Sequence, residues 1–125
     1  MRNPSIILAI AVMTVVSSAN AQTSFSDDQI RRALVGNTIS GQQSGKSYVE
    51  FLRPDGRIDG IGSDGRYTGR WVIWRGRMCM RYDEEDGKAA AWDCARVLIQ
   101  GDKIIWVDQG ERSYSTLSLG NPKNL

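Results

Sequence analysis

The chain has 125 residues, two cysteines, no histidine and a formal charge of +2. Without histidine there is no Ser-His-Asp or Cys-His catalysis, most zinc sites are removed, and the commonest general base near neutral pH is missing. A near-neutral balance excludes the dominant basic footprint of a non-specific nucleic-acid binder.

Arg2 precedes an apolar stretch from Ile6 through Val16, and polar Ser17 and Ser18 lead to Ala19-Asn20-Ala21. That succession of basic, apolar and A-x-A segments is the pattern of a secretory signal, so residues 1–21 are expected to be cleaved before Gln22. The apolar run of about eleven residues is shorter than the twenty or so a transmembrane helix needs. No stable membrane span is therefore expected after cleavage, and no cysteine follows the run to carry a lipid. Residues 22–125 are then a single exported domain, periplasmic or secreted, with a charge lowered to +1 by the loss of Arg2.

The first element of this domain is a short helix. Ser26 and Gln29 have the spacing of a capping box, and Asp27 and Asp28 sit where the helix dipole favours anions. Ile30, Ala33 and Leu34 make one apolar face that plugs an end of the domain, and Gly36 stops the helix.

From Asn37 onward the period changes to two. Eight short strands are expected, at Asn37–Ser40, Ser47–Leu52, Arg57–Ile61, Arg66–Trp74, Arg77–Tyr82, Trp92–Ile99, Lys103–Val107 and Arg112–Ser118. Turn residues such as Pro54-Asp55-Gly56, Ser63-Asp64-Gly65, Arg75-Gly76 and Asp108-Gln109-Gly110 separate them. Tight turns join antiparallel neighbours, and closing the meander removes its edges. The expected fold is mainly β: a small eight-stranded up-and-down barrel with a short N-terminal helix. Its interior is expected to be just filled by Tyr48, Phe51, Trp71, Ile73, Met78, Met80, Trp92 and Trp106.

Cys79 and Cys94 are an even pair in an exported chain, so a disulfide is the natural reading. In the loop-entropy picture a closure of about fifteen residues contributes roughly 3 kcal/mol. Pairing them across a hairpin places Tyr82 opposite Ala91 and leaves Asp83 to Ala90 as a loop. That loop is acidic but lacks the residue order of an EF-hand, and it reads as a solvated hairpin tip. Asp55, Asp59, Asp64 and Asp93 are the only carboxylates considered for a hydrolytic pair, and their spacing selects none. No enzyme, cofactor or metal is expected.

Leu34-Val35-Gly36-Asn37-Thr38, Gly69-Arg70-Trp71, and Cys79 with Trp92-Asp93-Cys94 resemble the small exported calycin-like (lipocalin-like) β-barrel domains of Gram-negative bacteria. The resemblance spans most of the mature chain and implies a barrel. The fold is similar as well to that of small periplasmic inhibitors of secreted metalloproteases. Where lipocalins proper carry G-x-W after the first helix, this chain reads Gly36-Asn37-Thr38.

Binding is expected at the surface. Trp71 and Trp74 lie three apart on one strand and so face opposite sides, with Trp74 the exposed one. Trp74 with Arg75, Arg77 and Arg70 has the composition of a binding hot spot. The reading is a non-enzymatic module contacting a protein or envelope partner, in which inhibition is one role. Two alternatives stand beside it: a structural envelope component, and a small-ligand carrier, which requires a cavity lined by Trp71, Met80 and Trp106.

Overall fold

The computed structural model describes residues 23–84, 86, 88 and 90–125, and the expected signal at residues 1–21 lies outside them. Helix α1 (Asp27–Leu34) precedes strands β1 (Thr38–Gln43), β2 (Lys46–Leu52), β3 (Arg57–Gly62), β4 (Gly65–Trp74), β5 (Arg77–Tyr82), β6 (Asp93–Gln100), β7 (Lys103–Asp108) and β8 (Glu111–Ser118). Each strand pairs antiparallel with its successor, and β8 returns to β1 to close the barrel.

Turn chemistry explains most of the strand ends. Ser44-Gly45, Arg75-Gly76 and Gln109-Gly110 all have positive φ at both residues, the requirement of the two-residue hairpin turn that matches strand twist. The first of these carries β1 three residues past its expected end at Ser40, because Gln43 pairs with Lys46 directly across the turn.

The helix forms as its capping residues require. The Ser26 hydroxyl accepts from the Gln29 backbone N–H, while the Gln29 side chain accepts from the Ser26 N–H. Asp27, in its first turn, accepts the N–H of Gly76 at the β4–β5 turn. Ile30 and Leu34 are fully buried, so α1 closes one end of the barrel.

Cys79 and Cys94 are bonded and lie opposite each other in the β5–β6 register. Beyond Met78 that ladder ends, and the N–H of Phe25 donates instead to the carbonyl of Val97, covering the β6 edge with the segment before the helix.

The inner phase at the helix end is large and apolar. Ile39, Leu52, Ile58, Trp71, Met78, Val97 and Ile104 form one buried cluster with the helix. Two side chains expected inside are not there. Tyr48, Glu50 and Leu52 share one side of β2 by alternation, so Phe51 falls on the outer side, half-buried. Trp92 precedes β6, is 43% exposed, and lies beneath the Arg81 guanidinium. Both were placed by size alone, which strand phase overrides.

Candidate functional site

At the end of the barrel away from α1 the inner phase mixes small residues with a few large aromatic ones. Gly41, Gly60, Gly62, Gly69, Ala95, Ser113 and Ser115 occupy positions where the other end carries Ile, Leu, Val, Met or Trp. Three of these glycines stand directly across from tyrosines: Gly41 from Tyr48, Gly60 from Tyr67, and Gly69 from Tyr82. A Cβ on Gly60 would overlap the Tyr67 ring, and one on Gly41 would lie 3.0 Å from the Tyr48 hydroxyl. The Tyr48 and Tyr67 rings therefore occupy the space their glycines leave free, while at Gly69 the Arg81 carbonyl is nearest and the Tyr82 ring next.

The hydroxyls of two of these tyrosines converge on Glu50. Tyr67 donates to one carboxylate oxygen at 2.9 Å, and Tyr82 donates to both at 3.0 Å. Glu50 is only 3% exposed. Burial pushes its pKa above the ordinary carboxylate range, and the two hydroxyls partly counter that by stabilising the charged form. Burial, reinforced by the neighbouring Glu50 charge, pushes Tyr67 and Tyr82 well above the usual phenol range, so both stay protonated donors. A second polar node lies nearby: the Ser115 hydroxyl bonds Tyr48 at 2.8 Å and accepts from the Trp106 indole N–H at 2.9 Å.

Together these groups surround a cavity of about 1030 Å³ that opens at this end of the barrel. Tyr48, Glu50, Tyr67, Tyr82, Trp106 and the two methionines Met78 and Met80 line its inner part. The expectation of a filled interior is thereby corrected: large apolar residues pack the helix end, whereas at the other end tyrosines, Trp106 and Met80 stand beside glycines, Ala95 and serines and leave a cavity. Met80 and Trp106 line the cavity, as ligand carriage requires. Trp71 does not, because it lies in the apolar cluster at the helix end, with its indole N–H donated to the Arg53 carbonyl.

The surface residues singled out from the sequence lie on the outer wall. Trp71 is 8% and Trp74 54% exposed, the division that alternation requires. The Arg75 guanidinium sits 4.7 Å from the Trp74 ring centre, and Arg77 is the cross-strand partner of Trp74. Arg70 is flanked in register by Arg57 on β3 and Arg81 on β5, which places three guanidinium side chains in a row across the wall. None of these arginines forms an ion pair among the described residues.

The aspartates considered for hydrolysis are dispersed. Asp55 and Asp59 share the Arg53 guanidinium, Asp64 pairs with Lys46, and Asp93 is at the cavity rim. In the acidic loop, Asp83 accepts from the Thr68 hydroxyl and Asp86 from the Lys88 N–H, while Glu85 and Gly87 lie outside the described residues. Among the described residues no three acidic or thiol groups converge as metal ligands, and no helix is long and apolar enough to cross a membrane.

Glu50, Tyr67 and Tyr82 escape a search for motifs, because they lie on three different strands. One signal was available: with Tyr48 and Leu52 inside, period two forces Glu50 inside as well. No protein-family model, curated protein or solved structure matches the chain.

Proposed function

We propose that this is an exported, calycin-like barrel that binds a small organic ligand in its open half without chemically altering it. The cavity carries this reading. Its volume is in the range of small-molecule sites, and its wall combines aromatic and thioether surface with a few convergent polar groups. The Cys79–Cys94 bridge supports an oxidising compartment outside the cytoplasm, periplasmic or secreted.

A fluorescence titration with the neutral dye N-phenyl-1-naphthylamine tests the reading. Saturable one-to-one binding is expected, and it is expected to vanish in Ala95→Phe, where a large ring enters the cavity from an inward position on β6. Equal binding by that variant would place the dye elsewhere and remove the support for a ligand cavity.

A second reading, contact with an anionic protein or envelope partner, is favoured by the register of Arg57, Arg70 and Arg81. Like charges directly opposite one another destabilise a sheet, and an anionic partner relieves that repulsion. Exposed Trp74 with Arg75 and Arg77 extends the same wall. On this reading Arg70→Glu weakens co-sedimentation with vesicles containing an anionic phospholipid and leaves dye binding unchanged.

A further inference from the structure

We propose that the ligand carries a protonated amine on an apolar or aromatic body, and that Glu50 is its counter-charge; this rests on the reading of the open half-barrel as a ligand site. Glu50 is buried and held by two hydroxyl donors, but no cation touches it among the described residues. A buried carboxylate is costly until a positive charge accompanies it, and hydrogen bonds from neutral hydroxyls offset only part of that cost. A ligand ammonium entering from the mouth supplies the missing charge. An anionic ligand meets the opposite situation: a fixed negative group at the base of the cavity and no cation beside it.

The surrounding wall suits the same ligand. Tyr48, Tyr67, Tyr82 and Trp106 bring four aromatic rings to the cavity, the surface on which organic cations are held by the ring quadrupole. Met78 and Met80 add polarizable apolar surface for the remainder of the molecule.

The mouth has the matching sign. Asp83, Glu84, Asp93, Asp108 and Glu111 border it, against Arg66 and Arg112, while Lys46 is already paired with Asp64. The chain as a whole is slightly basic, so an acidic rim runs against the overall balance. An acidic cleft with low-dielectric walls raises the local concentration of cations. Arg57, Arg70, Arg75, Arg77 and Arg81 lie away from the opening, where carboxylates outnumber the two arginines.

Calorimetric titration with two shape-matched probes, 2-naphthylmethylamine and 2-naphthylmethanol, separates charge from shape. At neutral pH the amine is expected to bind the unaltered protein about tenfold or more tightly than the alcohol, the scale of one charge-assisted contact. Glu50→Gln is expected to abolish the preference, so that the amine and the alcohol bind the variant with equal affinity. Glu50→Asp, which keeps the charge, is expected to keep the preference, and it serves as the test if the glutamine variant does not fold. Equal binding of amine and alcohol overturns the proposal and leaves the ligand cavity standing. A preference that survives Glu50→Gln overturns the role of Glu50. If neither probe binds and the neutral dye also fails, the cavity reading falls with the proposal; if only the dye binds, the proposal alone falls.

Discussion

The two ends of this barrel are made from the same eight strands and differ in what the inner phase carries. At the helix end Ile39, Leu52, Ile58, Trp71 and Ile104 meet beneath Ile30 and Leu34, and water is excluded. At the other end the next inward positions on β1, β2, β3 and β4 are Gly41, Glu50, Gly60 and Gly69. One end is a core that holds the barrel shut. The other is an open chamber, whose buried polar groups are costly for stability. A small barrel need not be uniformly packed along its axis: half of it can supply the stability while the other half encloses a cavity.

Truncation at the helix end is expected to have the largest effect. Trp71→Ala removes a buried indole and its hydrogen bond to the Arg53 carbonyl, with an expected cost of about 3 to 5 kcal/mol in urea unfolding. A loss below about 1 kcal/mol would show that the two ends share the stability evenly.

Gly60→Ala sharpens the comparison at the open end. The added methyl overlaps the Tyr67 ring and is expected to cost about 1 to 3 kcal/mol, as overpacking does. The pairing with Tyr67 predicts non-additivity: Gly60→Ala combined with Tyr67→Ala is expected to be less destabilised than the sum of the two single variants. Strict additivity would break the link between glycine and ring.

A smaller, pH-dependent effect is expected at Glu50. Burial raises its pKa on folding, so the native state takes up a proton more readily than the unfolded chain does. The stability linked to it is therefore fully present below the unfolded value, about 4.3, and is lost as pH rises through the higher folded value. Relative to wild type, Glu50→Gln is expected to gain in thermal midpoint as pH rises across that window, since glutamine carries no charge to bury. A midpoint difference that does not change with pH would leave Glu50 without the burial cost on which its role as counter-charge depends.

The smallest effect is expected at Trp74. It is half exposed on the outer wall, and Trp74→Ala is expected to change stability by about 0.5 kcal/mol or less. A loss matching that of Trp71→Ala would place Trp74 in the core and remove the anchor of the arginine wall.

The elements of the fold were legible in the sequence because local signals specify them. Period-two alternation and the turn residues locate all eight strands, and Ser26 with Gln29 starts the helix where the structure does. The spacing of Cys79 and Cys94 is enough to place their strands opposite each other. The expected exposure of Trp74 and burial of Trp71 needed their odd separation and the apolar Ile73 in phase with Trp71. Hydrophobicity misled where it was used in place of phase, at Phe51 and Trp92.

The site was decided by the tertiary structure. Tyr67 and Tyr82 stand 17 and 32 positions from Glu50, and only the curvature of the sheet from β2 to β5 brings the two hydroxyls to one carboxylate. The glycines opposite the tyrosines look in sequence like turn or bulge residues, and their role as space for a ring depends on cross-strand register, which no single strand contains. Whether the interior is full or hollow is likewise a sum over eight strands. Secondary structure and the disulfide follow from neighbours along the chain, whereas a cavity is set by side-chain volumes that meet only when the sheet closes.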